Sequence, residues 1–87
     1  MGFSRHSRVA SRIVEGRALV VSIDANRLYA LNELGSTIWE LLARPRTLDE
    51  VVAEICAHFS VDGPTARADC ERFIRDMLEK GLLAESS

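Results

Sequence analysis

A proline between two amphipathic patterns constrains the fold of this 87-residue chain more than any other feature. Pro45 disfavours helical geometry at Arg44, so the helical pattern that begins at Asn32 has to end there. Thr47 and Glu50 follow at the spacing of a capping box, in which each side chain accepts a hydrogen bond from the other residue's backbone amide. The sequence therefore predicts a corner between two helices, the first ending before Pro45 and the second beginning after Thr47.

Apolar residues at helical spacing predict three helices after residue 31. Asn32, Thr47 and Asp62 are the expected N-caps, and Gly81 is the expected C-cap of the third helix. Gly35 costs the first helix about 1 kcal/mol relative to alanine, so we expect another backbone to cross closely over that turn. The apolar stripes are Leu34, Ile38, Leu41 and Leu42 in the first helix, Leu48, Val51, Val52, Ile55 and Phe59 in the second, and Ala66, Cys70, Phe73, Ile74 and Met77 in the third.

Short apolar or β-branched stretches before residue 32 predict three antiparallel strands. They cover Val9–Val14, 18–23 and 27–31, and Gly16 supplies the positive φ of the first reversal. Together with the helices they predict an α+β fold, a three-stranded antiparallel sheet followed by three helices, similar to a winged helix-turn-helix. One domain is expected over residues 1–87, with residues 1–7 and 84–87 flexible.

Composition and charge narrow the possible functions. The chain is 47% apolar and 28% charged, with no apolar run long enough to span a bilayer or act as a secretion signal, so we expect a cytoplasmic, monomeric protein without a membrane partner. The net charge of −2 divides into +3 over residues 1–17 and −5 over the rest. The charges of the third helix cancel, which disfavours DNA binding because phosphate recognition requires net positive charge.

No pattern in the chain predicts catalysis, a metal site or a cofactor. Cys56 and Cys70 lie within helical patterns and are interpreted as small buried hydrophobes, with a redox pair or a catalytic thiol as the alternative. His6 and His58 have no acid or cysteine at a diagnostic spacing. The candidate functional surface is therefore the edge of the strand at 28–31, which an extended peptide can join as an added strand, with the third helix as a wall.

The residues of that surface belong to a longer run with a family resemblance. The run "LYALNELGSTIWELLARPRTLDEVVAEICAHFSVDGPTARADCERFIRDMLEKGLL", about two-thirds of the chain, resembles the PqqD-like family, named for the peptide chaperone of pyrroloquinoline quinone biosynthesis. The marks that carry the resemblance are Leu31-Asn32-Glu33 with Gly35, Ile38-Trp39-Glu40-Leu41, Arg46-Thr47-Leu48, Asp69, Phe73 and Gly81-Leu82-Leu83.

This resemblance implies a noncatalytic recognition element for ribosomally made, post-translationally modified peptides (RiPPs). Such proteins bind the leader segment of a precursor peptide as an added strand and deliver it to a radical S-adenosylmethionine enzyme or, for lasso peptides, a leader peptidase. The implied peptide contacts are Leu28, Tyr29, Ala30, Asp69, Cys70, Phe73, Ile74 and Met77.

Several of these roles stay open. Phe73 and Met77 can serve the core instead, Tyr29 can pack inward with its hydroxyl at the edge, and Asp69 can be a surface residue or pair with a basic leader side chain. The chain lacks the family's proline-containing stretch before residue 31, which favours a general or lasso-type leader binder. Gly63-Pro64 also replaces an acidic pair at the start of the third helix. The rival functions are a winged-helix DNA-binding protein and a scaffold for a folded partner.

Overall fold

The computed structural model of the chain describes residues 2–86. Its elements in chain order are β1 (Gly2–Arg5), β2 (Val9–Val14), β3 (Arg17–Ser22), β4 (Arg27–Ala30), α1 (Glu33–Leu41), α2 (Leu48–Phe59), α3 (Gly63–Glu79) and β5 (Leu83–Ser86). The α+β class, with a three-stranded antiparallel sheet and three helices, is confirmed. No helix within residues 2–86 has the length and apolar character needed to cross a membrane.

The three-stranded sheet has the order β2-β3-β4, with β3 at its centre. The β2–β3 turn contains Glu15 and Gly16, both with positive φ, the combination that matches the twist of a tight hairpin. Asn26, also at positive φ, closes the turn before β4. Both other strands pair antiparallel with β3, so β4 lies at the edge of the sheet.

A second sheet joins the two ends of the chain, where the sequence predicted flexible residues at 1–7 and 84–87. β1 pairs antiparallel with β5, and Phe3 on β1 also exchanges two backbone hydrogen bonds with Arg46, of 2.7 and 3.0 Å. Residues 2–5 and 84–86 of these predicted segments lie in the two paired strands, while Met1 and Ser87 lie outside the described residues. Pairing between strands almost eighty residues apart leaves no local pattern in the sequence.

The three predicted N-caps are confirmed by their hydrogen bonds, whereas the C-cap of α3 is Lys80, one residue before the predicted Gly81. The Asn32 side chain accepts from the Gly35 amide at 2.8 Å, and the Asp62 side chain accepts from the Thr65 amide. Thr47 and Glu50 form both bonds of the capping box, of 3.2 and 2.8 Å. After α3, Gly81 has a φ of 74° and the chain folds back, burying Leu82 and Leu83.

One apolar core joins the sheet to the helices. Its largest fully buried side chain is Trp39, whose Nε1 donates a hydrogen bond to Ser11 Oγ at 3.0 Å. The other buried apolar residues are Ala18, Val20, Leu31, Ile38, Leu42, Val51, Val52, Ile55, Ala66, Cys70, Ile74, Met77, Leu82 and Leu83. The core therefore draws on β3, on all three helices and on the first residue of β5.

The reason for Gly35 differs from the expected one. A Cβ at this position would lie 2.8 Å from Cε1 of Phe73, so the neighbour that crowds the first turn of α1 is an aromatic side chain of α3 rather than another backbone. Sequence reasoning identified the close approach but not its partner, because α1 and α3 meet only through the tertiary fold.

Candidate functional site

The free edge of β4 is one side of the candidate site. Leu31 N donates to the Ala18 carbonyl at 2.9 Å, so Leu31 and Ala18 form a hydrogen-bonded pair. Bonded and non-bonded pairs alternate along an antiparallel ladder, so the backbone groups of Tyr29 also point to β3, whereas those of Leu28 and Ala30 point to the other edge. Within residues 2–86 no strand pairs with that edge.

A pocket of about 520 Å³ opens where β4 ends and α1 begins. The capping residue Asn32 directs the chain from the strand into α1, and the first turn of this helix faces α3. The pocket is lined by Asn32, Leu34 and Gly35 from the α1 side and by Asp69, Arg72, Phe73 and Asp76 from α3. The α3 residues recur at the three- and four-residue spacing of one helix face, so α3 forms a continuous wall.

Two ion pairs lie along the border of this wall. Asp69 and Arg72 are 3.2 Å apart, and Asp76 and Lys80 are 2.6 Å apart. Lys80 Nζ also lies 5.8 Å from the centroid of the Tyr29 ring, which connects the end of α3 to the core-facing side of β4. Exposed pairs of this kind are worth up to about 1 kcal/mol, so they can exchange partners at little cost when a charged ligand arrives. We name the free edge of β4 and the adjoining α3 wall with its pocket the β4–α3 groove.

The eight predicted contact residues fall into two groups. Leu28 is 64% exposed and Ala30 is exposed, whereas Tyr29, Asp69 and Phe73 are half-buried along the groove. Cys70, Ile74 and Met77 are buried in the core, with 0, 3 and 4% of their surface exposed. Contact between these three and a bound peptide stays a prediction. All three belong to the apolar core, and Ile74 also borders a second pocket with Phe3 and Leu48.

Several pocket residues were missed by sequence reasoning. Asn32 and Gly35 were interpreted only as parts of the first helix, and Leu34 only as part of its apolar stripe. Arg72 and Asp76 were considered only among the cancelling charges of the third helix. The helical spacing of Asp69, Phe73 and Asp76 was available as a signal, but nothing in the sequence places the start of α1 opposite that face.

No group of three or more His, Cys, Asp or Glu within residues 2–86 is arranged to hold a metal ion. Burial in the core raises the pKa of the Cys70 thiol to about 11, so this group is a neutral thiol at physiological pH rather than a nucleophilic thiolate.

Comparisons with known proteins bear on the family and the fold of the chain. Residues 17–83 match the family model of coenzyme PQQ synthesis protein D (PqqD). A search of curated proteins found no significant match. Among solved structures, TbiB1 in complex with the TbiA(beta) leader peptide is 30% identical, with a TM-score of 0.89 over 97% of this chain and 98% of that chain.

Two more distant structures share the fold. A lasso peptide synthetase B1 complexed with its leader peptide is 13% identical, with a TM-score of 0.84 over 95% of this chain and 98% of that one. The PqqD truncation of Methylobacterium extorquens PqqCD, described as a stand-alone RiPP recognition element, is 14% identical, with a TM-score of 0.79 over 97% and 89% of the two chains. Because the PqqD family model matches residues 17–83 and TbiB1 is 30% identical, the chain belongs to the PqqD family, the family that its sequence resembles.

Proposed function

We propose that this protein is a noncatalytic RiPP recognition element that binds the leader segment of a precursor peptide as a strand added to β4. The observation that carries the proposal is the unpaired edge of β4 beside the α3 wall and its pocket. The structures of TbiB1 and of a lasso peptide synthetase B1, each complexed with a leader peptide, support it through their similarity to this chain.

In this mode of binding, affinity and specificity come from different groups. The outward N–H and C=O groups of Leu28 and Ala30 offer main-chain hydrogen bonds to any extended peptide, whatever its sequence. Side chains of an added strand alternate between two faces, so every second one enters the space between β4 and α3. Asp69 and Phe73, together with the pocket residues at the start of α1, then select among leaders.

The protein acts by recruitment. Holding the leader places the modifiable part of the precursor near the enzyme at a high effective concentration, without any bond being made or broken by the recognition element itself. The partner enzyme is a radical S-adenosylmethionine enzyme or a leader peptidase, the two classes that the family resemblance implies. Such a partner needs a second surface, because the groove is occupied by the leader.

The outer face of the three-stranded sheet fits this role. Ser11 bonds Trp39 in the core, so its neighbours Ala10 and Arg12 point outward, and the strand register assigns the remaining outward positions. That outer sheet face consists of Ala10, Arg12, Val14, Arg17, Leu19, Val21, Leu28 and Ala30. It is apolar with two arginines and, among the described strand residues, no acid, so it fits a partner surface with an apolar centre and acidic surroundings.

An amide chemical-shift titration tests the proposed function. Leader segments of candidate precursor peptides, starting with the TbiA(beta) leader, are added to labelled protein. We expect shifts concentrated on residues 27–31 and on the groove side of α3. Shifts of α3 and of the basic residues of 1–17 with duplex DNA, and none with any leader, would favour the DNA-binding alternative. Capture of a folded partner without any peptide would favour the scaffold.

A substitution on the outer sheet face tests whether the partner enzyme docks there. Val21→Glu places a negative charge on the outer sheet face, while its backbone pairs within the sheet rather than at the free edge. We expect leader affinity to stay unchanged and modification by the partner enzyme to fall. Equal losses of both would show that the outer face is not a separate docking surface.

A further inference from the structure

Gly35, in the first turn of α1, lies tightly against the Phe73 ring of α3. A Cβ there would lie 2.8 Å from Phe73 Cε1 and 3.1 Å from the capping oxygen of Asn32. By contrast, a Cβ at Gly16, Gly63 or Gly81 would meet nothing within 4 Å. Gly35 also lacks the positive φ that would require glycine for backbone reasons. The lack of a Cβ at this position therefore leaves room for the Phe73 ring.

The Phe73 ring borders the core, α1 and the pocket. The core holds it on one side and the first turn of α1 on another, and the same ring lines the pocket with Leu34 and Asp76. A methyl group at Gly35 leaves too little room for the ring in its present place, because carbon atoms in contact are separated by about 3.5 to 4.0 Å. The ring then has to move towards the pocket, which becomes smaller.

We infer that Gly35 sets the size of the peptide side chain that the pocket accepts, acting through the position of Phe73. This inference rests on the proposed function and adds a specificity determinant to it. Gly35 is a positioning residue, since it is Phe73 that contacts the bound side chain. Without a side chain at 35, the ring lies back against α1 and the pocket keeps its full depth.

The chemistry of the pocket indicates which side chains it takes. Leu34 and Phe73 supply apolar surface, and the three charged residues of the wall already have partners, Asp69 with Arg72 and Asp76 with Lys80. An uncharged side chain packs on Leu34 and Phe73 and leaves both pairs intact, so its binding needs no exchange of charged partners. The pocket therefore suits one bulky, uncharged side chain of an extended peptide.

Parallel peptide selection tests this inference and works even where the natural leader sequence is not identified. Extended peptides of random sequence are displayed and selected on the wild-type protein, on Gly35→Ala and on Gly35→Ala/Phe73→Leu. Gly63→Ala is the matched control, because it makes the same chemical change where no neighbour is near. Ala30→Pro, which removes an outward N–H of β4, identifies peptides that bind at the strand edge. Circular dichroism verifies that each variant is folded.

We expect wild type and Gly63→Ala to enrich a bulky uncharged residue at one peptide position, and Gly35→Ala to enrich small residues there. The double variant should again prefer the bulky residue. A peptide with the bulky residue should bind Gly35→Ala about tenfold more weakly than wild type. The same preference in all four proteins would overturn the inference while leaving the proposed function intact. Failure of the wild type to enrich any peptide sensitive to Ala30→Pro would overturn the proposed function itself.

Discussion

The hydroxyl of Ser36 bridges the amide of Ala18 and the carbonyl of Leu31. Its Oγ accepts from Ala18 N at 2.8 Å and donates to Leu31 O at 3.3 Å, and the site is buried. The bridge connects the first turn of α1 to the ends of β3 and β4. The end of β4 and the start of α1, where the pocket opens, are therefore joined by one side chain.

Ser36→Ala tests the value of that bridge. The substitution leaves the buried Ala18 amide without its partner, so we expect a loss of about 1–3 kcal/mol in the free energy of unfolding. Urea unfolding monitored by Trp39 fluorescence measures it. Thr37→Ala is the control, because this neighbouring hydroxyl bonds only the Glu33 carbonyl of its own helix and should change stability little. Equal effects of the two substitutions would contradict the bridging role.

Ala30→Pro tests the free edge of β4. Proline removes the Ala30 N–H, which points away from β3, so the sheet keeps its own hydrogen bonds and the fold should persist. Leader affinity, measured by isothermal titration calorimetry, should fall at least tenfold, because a main-chain bond is lost and the ring obstructs the edge. Ala30→Val keeps the N–H and should bind normally. A folded Ala30→Pro protein with unchanged affinity would exclude strand addition at this position.

Thr47→Ala tests the corner after Pro45. It removes the side-chain oxygen that accepts from the Glu50 amide, and loss of an N-cap of this kind costs about 1 kcal/mol. Thr47→Ser retains the oxygen and should lie within a few tenths of wild type. Thermal unfolding of the three proteins gives the comparison. No difference between the alanine and serine variants would show that the capping box contributes little to stability.

The two cysteines should differ in reactivity. Burial raises the pKa of the Cys70 thiol to about 11, from an ordinary value of 9.0, so at pH 8 almost none of it is thiolate. Cys56 is half-buried, and we expect iodoacetamide to label it first, with Cys70 labelled only as the protein unfolds. Mass spectrometry of the peptides distinguishes the two. Rapid labelling of Cys70 in the folded protein would contradict its position in the core.

The same shift in pKa predicts a dependence of stability on pH. The folded state keeps the Cys70 thiol neutral, so its contribution is complete below about pH 9, where the unfolded thiol begins to ionise, and is lost as the pH rises towards 11. Urea midpoints between pH 8 and 11 should therefore fall more steeply for wild type than for Cys70→Ala. Parallel curves for the two proteins would contradict this prediction.

Local chemistry explains which parts of the fold were predictable. Helix caps depend on residues three or four positions apart, so Asn32, Thr47 and Asp62 could be assigned from the sequence, and their hydrogen bonds are confirmed. The β2–β3 reversal at Gly16 is local in the same sense. The β1–β5 pairing and the bridge from Phe3 to Arg46 are not local, because each joins residues that are distant in sequence and meet only in the folded chain.

In the candidate site, too, some residues could be predicted from the sequence and others could not. The strand at 28–31 was identified because its residues are consecutive, and Asp69 and Phe73 because they carry the family resemblance. Cys70 and Met77 are apolar and have the helical spacing expected both of core residues and of residues that line a groove. Periodicity alone does not distinguish these two positions at the edge of an apolar stripe. The contact of Gly35 with Phe73 is a tertiary one that no spacing rule reports.

Hydrogen exchange at individual amides tests the central claim, the addition of a leader strand to β4, most directly. In the free protein the amides of Leu28 and Ala30 point to an unpaired edge and should exchange fast, whereas the Tyr29 amide is bonded to β3. Saturation with a bound leader should slow exchange at Leu28 and Ala30 by at least tenfold. The account is contradicted if a leader binds and these two amides continue to exchange at the rates of the free protein.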